Sequence, residues 1–373
     1  MKILHVTNTL EEGGVESLVS GLATGMAQAG HLVTILSLRP GKPVLIRQLE
    51  EMEVKVLHCG NEQHLYSPAK FFALVRFLRE HRYDVIHSHL FPTQYYVAIA
   101  RSLSRKNANA IYGTTEHGMI NGRRSKKWLR GVERYIYSRY DFVVGVSQTA
   151  SQSLQQWLGP QITIHTIENG LNIAAFRSVN KNIRSIIRQK YHIPEHAKVL
   201  IMAARFYEAK DHYTLIRSMQ YLPDDYHLLL VGSGPLLTQC QNLCSSLKLE
   251  TRIHFVGYTD QVNTFIAASD IGVLASHHEG CPISLVEYMT QGLPIISSDI
   301  ESIRAVVGDA GIFFPNGDAN ALAEKVLLLT TPPERYAEFR CHSLTRAEHF
   351  DLTRTIDNYL GLYHNILSAC KKT

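Results

Sequence analysis

Short apolar strand patterns alternate with helix-length segments from the first residues to Gly170, and beyond it the same alternation starts again. The first series opens with KILHVT (residues 2–7), a helical segment from about Val15 to Ala29 stopped by Gly30, and the strand HLVTILSL (31–38). Ser67-Pro68 begins another helix, with Phe71, Phe72, Val75 and Leu78 at helical spacing, before the strand DVIHSH (84–89). Strands separated by helices of this length require right-handed crossovers, and hence a parallel sheet covered on both faces. The second series, KVLIMAAR (198–205), HLLLVGSG, RIHFVGY, IGVLAS and PIISSD (294–299), predicts another doubly wound domain. The polar stretch 178–194 between them reads as a linker with one short helix.

Size agrees with two domains, because 373 residues exceed what one core usually serves. With 45% apolar and 19% charged residues the composition is that of a soluble globular chain. No apolar run approaches the roughly 18 residues of a membrane span, and the first residues lack the apolar core and cleavage site of a signal peptide. A cytoplasmic location is therefore expected. Six cysteines are scattered without metal-site or disulfide spacing; Cys240 and Cys244, four apart, are expected to be small buried residues. The net charge of +5 is modest.

Glu279 and Glu287 carry the most specific functional signal. Glu279 follows the apolar strand IGVLAS, Glu287 lies within an apolar-periodic stretch, and Gly280 and Pro282 mark the turn into a helix. A strand, a tight turn and a helix bring the amides of Ile283 and Ser284 to a helix N-terminus, where unpaired N–H groups and the dipole favour phosphate. Carboxylates on either side can hold hydroxyls. A sugar nucleotide diphosphate has that layout.

The run resembles the Glu-x7-Glu signature of the retaining GT-B glycosyltransferases of family 4. Further landmarks follow in order: Gly13-Gly14-Val15-Glu16, Thr115-Glu116-His117-Gly118, Glu168-Asn169-Gly170-Leu171-Asn172, Ala204-Arg205 with Lys210, Val231-Gly232-Ser233-Gly234-Pro235, and Phe255-Val256-Gly257-Tyr258. The resemblance implies an α/β GT-B fold, two Rossmann-like doubly wound domains facing across a cleft. Residues 1–170 would form the acceptor side and 171–350 the donor side, with 351–373 a helix crossing back to the first domain. It implies transfer of a hexose or N-acetylhexosamine, with a UDP-sugar favoured, to a glycan or lipid-linked glycan acceptor in cell-surface glycan synthesis. No cofactor beyond the nucleotide sugar is expected.

In such an enzyme Arg205 and Lys210, near a strand end, would neutralise the departing diphosphate. Gly14 would let a backbone N–H approach the distal phosphate; Gly13 reads equally well as an ordinary turn glycine. Glu287 would accept from two ribose hydroxyls, and Glu279 would contact the donor sugar. Gly280 and Cys281 lie in the turn beside it. Cys281-Pro282 replaces the family's common Phe-Gly, which costs one N–H donor and suits the first helical position. Val256 and Gly257 would meet the base through their backbone. His117 would hydrogen-bond a sugar hydroxyl or accept the acceptor's proton, its pKa being near working pH. Retention would follow either a covalent intermediate or same-face attack guided by the phosphate, and no residue announces itself as a nucleophile. An epimerase or hydrolase, or a non-catalytic nucleotide-sugar binder, on the same fold are the alternatives.

Two further patterns remain. His87 and His89 share one face of a strand, but no third ligand follows at metalloprotease spacing and no Asp-x-Asp occurs, so no metal is expected. Between Arg123 and Arg139 seven cations face one acid, Glu133, with Leu129, Val132 and Ile136 as an apolar stripe beside Trp128. Such a helix either lies on an anionic membrane, making the protein peripheral on the inner face, or packs its stripe on the sheet. Nucleic acid is not an expected partner, since no aromatic-interleaved module accompanies the charge.

Overall fold

A computed structural model describes residues 1–11, 13–60, 64–117, 123–124, 126–280 and 282–370. It divides into two compact units, Met1–Gly170 with Leu352–Thr373, and Leu171–Asp351. Each unit is a Rossmann-like α/β domain.

The first unit holds the strands β1 (Lys2–Thr7), β2 (Leu32–Ser37), β3 (Lys55–His58), β4 (Val85–His89), β5 (Ile111–Glu116), β6 (Phe142–Gly145) and β7 (Ile164–Thr166) in one sheet of order β3-β2-β1-β4-β5-β6-β7, every pairing parallel. Alternation splits the apolar residues between two faces. Leu4, Val6 and Ile86 join one cluster; Ile3, Val85 and Val144 join the other, under the helices Gly14–Gln28 and Leu352–Cys370. Gly21 and Gly25, one turn apart, let those helices touch. A Cβ on Gly21 would lie 2.7 Å from Leu352, and one on Gly25 would lie 2.2 Å from Ile356. The last helix thus supplies core to the sheet formed by the first 170 residues, burying Tyr359 and Tyr363.

In the second unit β8 (Lys198–Ala203), β9 (Tyr226–Val231), β10 (Ile253–Gly257), β11 (Ile271–Leu274), β12 (Ile295–Ser298) and β13 (Gly311–Phe314) form a parallel sheet of order β10-β9-β8-β11-β12-β13. The stretch expected as a linker is instead built into this unit. Its helix Ile183–Lys190 buries Ile187 and Arg188, and Arg188 donates to Asp270 Oδ2 (2.9 Å) and to the carbonyls of Ala197 (3.0 Å) and Glu195 (2.9 Å). The polarity that suggested exposure belongs to an arginine whose charge is answered internally. Cys240 and Cys244 are buried, and burial pushes both thiols up to about 11, which leaves them unreactive.

In both sheets the strand order reverses once, between β1 and β4 and between β8 and β11. Loops leaving the carboxyl ends of those neighbours diverge to opposite faces and open a crevice, which is where open α/β sheets bind ligands.

Candidate functional site

The switch point of the second unit gathers several of the expected residues. The loop after β8 is zipped to the segment after β11: Asp211 N–H donates to Ala275 O (2.9 Å), His277 N–H to Ala209 O (2.9 Å), and Lys210 bridges Ser276 antiparallel. Asp211 also caps the helix His212–Ser218 by accepting from Thr214 N–H at 3.1 Å, which fixes the residue before it. Lys210 is thereby aimed at Glu279, and its Nζ binds Glu279 Oε1 directly. Ser276 Oγ donates to the same carboxylate at 2.6 Å, while Ser302 Oγ holds the Glu279 carbonyl at 2.8 Å. The ammonium and carboxylate are largely sheltered, with side chains 24% and 8% exposed, so each is the other's main compensation for lost water.

Arg205 leaves the same loop on the exposed side, and its guanidinium has no ion-pair partner among the described residues. The two glycines of Val231-Gly232-Ser233-Gly234 explain the path of that loop. A Cβ on Gly232 (φ +141°) would lie 2.1 Å from Ala204 O, and one on Gly234 (φ +158°) would lie 2.5 Å from Phe206 O. The β9 turn packs directly beneath the backbone that carries Arg205. Val256 is the extra residue of a bulge where β10 pairs β9, since Phe255 faces Leu230 and Gly257 faces Val231. Its backbone is outside the ladder, as a residue that meets a ligand through its main chain needs to be.

Gly280 stands in the bend before Cys281, which lies outside the described residues. The helix Ile283–Thr290 starts at Ile283 with Pro282 as its N-cap, one position later than a helix that has Pro282 as its first residue. Ile283 and Ser284 therefore own two of the amides that have no acceptor within the helix. Glu287 is half-buried in the second turn, and burial pushes its carboxyl up to about 7. This site is thus proton-sensitive at Glu287 and charge-paired at Glu279.

Within the first unit Gly14 begins the helix Gly14–Gln28, and nothing stands within 4 Å of where its Cβ would be. His117 follows β5 and its Nε2 contacts His89 Nδ1 at 3.2 Å. Its expected titration near working pH is overturned: burial lowers its pKa to about 4, so the ring is neutral at pH 7. Glu116 is tied to Tyr137 Oη (2.7 Å) and Arg124 (3.2 Å), which removes it as a free base.

Strand register brings in one histidine that spacing along the chain could not reveal. His5 on β1 is the register partner of His87 on β4, and nitrogens of His5, His87 and His89 lie within 4.8 Å of one another. Three imidazoles at that distance could hold a cation. Both His87 nitrogens are engaged, however, with Tyr363 Oη at 2.6 Å and Thr115 Oγ1 at 2.8 Å, and they are not available to a metal without breaking the contact to the last helix. The visible signal was the histidine at alternate positions near three strand ends, HVT, HSH and EHG.

The basic segment also departs from expectation. On the helix Leu129–Tyr137, Ile136 is buried but Val132 is 44% exposed, as are Trp128 (73%) and Tyr135 (64%), so the stripe does not all face the sheet. Glu133 is fully buried, accepting from Arg123 (2.7 Å), Tyr95 Oη (3.0 Å) and Trp157 Nε1 (2.6 Å). Arg130 and Arg134 donate to carbonyls at the end of the helix Gln148–Leu158, and Lys126 and Lys127, just before the helix Leu129–Tyr137, are exposed.

Comparison with known proteins gives this geometry a family. The description Glycosyl transferases group 1 matches residues 183–342, and Glycosyltransferase Family 4 matches residues 12–175. N-acetyl-α-D-glucosaminyl L-malate synthase of Bacillus anthracis is 25% identical, over 76% of this chain and 75% of its own length. Phosphatidyl-myo-inositol mannosyltransferase of Mycolicibacterium smegmatis is 24% identical, over 96% of this chain and 91% of its own length. Among solved structures, Anabaena HepE in complex with UDP matches with a TM-score of 0.83 at 19% identity, over 98% of this chain and 100% of HepE. Both halves match in order and both carry the parallel sheet their family requires: the chain belongs to the family 4 glycosyltransferases of GT-B fold.

Proposed function

We propose that the protein is a retaining, metal-independent hexosyltransferase that moves a hexose or N-acetylhexosamine from a UDP-sugar to a hydroxyl of a glycan or lipid-linked glycan acceptor. The observation that carries this reading is the convergence of Lys210 and Glu279 at the β8/β11 switch point, beside the uncapped start of the helix Ile283–Thr290. Breaking a sugar–phosphate bond leaves charge on the phosphate and an oxocarbenium-like sugar. Lys210, Arg205 and the amides of Ile283 and Ser284 answer the first; the Glu279 carboxylate answers the second. When the diphosphate enters, Lys210 trades part of its bond to Glu279 for the phosphate, which frees the carboxylate toward the sugar. Glu287 accepts from the ribose, and Val256 and Gly257 meet the base; in the first unit, Gly14 is assigned to a phosphate and His117 to a hydroxyl of the donor sugar.

The preference for uridine is supported by HepE, solved with UDP, and the sugar class by relatives named as N-acetylglucosaminyl and mannosyl transferases. The relative named for phosphatidylinositol supports a lipid-bearing acceptor, and the exposed Trp128, Val132 and Tyr135 beside Lys126 and Lys127 suit peripheral contact with an anionic bilayer. A role in cell-surface glycan assembly follows from that acceptor. No helix among the described residues is long and apolar enough to cross a membrane.

Purified protein with UDP-, GDP- and ADP-sugars, assayed for nucleotide release with and without EDTA, tests the reading. UDP-sugar turnover unchanged by EDTA, with an α-linked product by NMR, is the expected result. A β-linked product, or EDTA-sensitive turnover, would refute the retaining or metal-independent parts respectively.

A further inference from the structure

We propose that His5 and His89 are positioning residues for His117: three rings in line form a one-directional hydrogen-bond chain that makes His117 Nδ1 a fixed proton donor toward a substrate hydroxyl. The inference rests on the assignment of His117 to the donor sugar given above, and deepens it.

Strand geometry builds the chain. His5 and His87 are register partners on β1 and β4, His89 lies two residues further on the same face, and its register partner Thr115 precedes His117 by two. All four imidazoles therefore project from one face at the carboxyl ends of β1, β4 and β5, next to the first unit's switch point. His5 Nδ1 meets His89 Nε2 at 3.0 Å, and His89 Nδ1 meets His117 Nε2 at 3.2 Å. The two outer atoms, His5 Nε2 and His117 Nδ1, are buried without a partner among the described residues.

A neutral imidazole has one N–H and one lone pair, and an N···N contact needs one of each. Only two neutral arrangements of the chain satisfy both contacts; every other sets two protons or two lone pairs face to face. In one, His5 Nδ1–H donates to His89, His89 Nδ1–H donates to His117, and His117 Nδ1–H points outward. In the other every bond is reversed and an N–H is stranded on His5 Nε2. A buried N–H without an acceptor costs more than a bare lone pair. Both outer atoms are buried, but His5 is wholly enclosed within the sheet whereas His117 is a partly exposed residue at a strand end, so only its Nδ1 stands where an entering substrate oxygen can answer a proton, and the proton belongs there. Burial lowers the pKa of His5 to about 4 and that of His89 well below its ordinary value, which keeps charged forms of the chain unpopulated at pH 7.

The chemical consequence separates two roles for His117. With Nδ1 protonated and Nε2 accepting from His89, the ring holds no lone pair for an incoming proton. It donates to an oxygen of the substrate and does not act as the base.

Full-length protein carrying 15N-histidine, examined by long-range proton–nitrogen correlation at pH 7, reads the arrangement directly. His117, identified by the signals lost in His117→Gln, is expected as the single Nδ1–H tautomer. An Nε2–H tautomer in the unmodified protein would overturn the proposal without any variant that must fold. His5→Asn keeps a donor where Nδ1 stood and should preserve the tautomer and the turnover. His5→Leu removes it and should give a mixture, with kcat lowered about tenfold; an unchanged single tautomer in a folded His5→Leu protein would sink the chain. If turnover of His117→Gln equals that of the unmodified protein while the tautomer is as expected, the assignment of His117 to the sugar fails and the hydrogen-bond chain stands alone. Stoichiometric zinc that shifts His5, His87 and His89 together would replace the chain with a metal site.

Discussion

The two units solve the same problem at their switch points with opposite materials. The second places charges there, Lys210 against Glu279 with Arg205 exposed beside them, and the first places neutral imidazoles in a dry row. Charges bind an anion strongly but must be compensated while the site is empty, which Glu279, its carboxylate also held by Ser276, does for Lys210. Imidazoles kept neutral by burial need no counter-ion, and what they contribute is direction. A diphosphate calls for the first solution, and a sugar hydroxyl that must be told apart from its neighbours calls for the second.

The contrast can be broken most forcefully at Lys210. Lys210→Ala should lower kcat for sugar transfer by about 10²–10³, the loss typical when one stabiliser of transition-state charge is removed. Arg205→Ala should follow with about 10–10² and leave the melting temperature unaltered, because Arg205 is exposed. If both variants turn over normally, the charged site has been misplaced. Glu279 separates compensation from chemistry. Glu279→Ala strands the Lys210 ammonium and should cost about 1–3 kcal/mol in denaturant unfolding. Glu279→Gln keeps an acceptor for Ser276 and should lose less stability while still losing transfer. Equal stability loss in the two would show that the charge of the carboxylate alone, and not the acceptor it offers, compensates the lysine.

Glu287 sharpens the comparison through pH. The folded chain holds its proton up to about pH 7, whereas the unfolded chain releases it near 4.5, so ionisation costs stability progressively between those values and fully above them. Glu287→Gln should therefore raise the stability of the empty protein at pH 8 by about 1–3 kcal/mol, with no gain near pH 4, while weakening UDP binding. A melting temperature unchanged at pH 8 would contradict this. The smallest effect is expected just before the helix Leu129–Tyr137, where Lys126→Ala with Lys127→Ala should reduce binding to phosphatidylserine vesicles about fivefold per lysine and leave transfer to a soluble acceptor unchanged.

The doubly wound halves, and the places of Lys210 and Glu279 beyond strand ends, were legible in the sequence because each depends on local order: strand, turn, then helix, with the chemical group at a fixed offset. Glu279 and Lys210 were individually visible, but their contact was not, since it arises from the antiparallel bridge between Lys210 and Ser276. His5 was invisible as a partner of His89 because 84 residues separate them, and only strand register brings them together. Arg188 misled in the opposite direction. A charged residue in a polar stretch signals solvent, unless Asp270 and a ring of carbonyls wait for it inside. His117 was read at its ordinary pKa because desolvation cannot be counted from one strand.

The packing of Leu352–Cys370 on the first sheet has a consequence for the order in which the molecule can be made. Residues 171–351 are contiguous, so a chain leaving the ribosome can close that core as soon as Asp351 has emerged. The first unit is discontinuous. Its 170 residues appear first, yet the sheet face that carries His5 and His87 stays only partly covered until Tyr359 and Tyr363 have been made, after the whole of the second unit. The half that is translated first is thus the half that matures last, and it spends the whole synthesis of its neighbour as a client for whatever shields unfinished apolar surface in the cell.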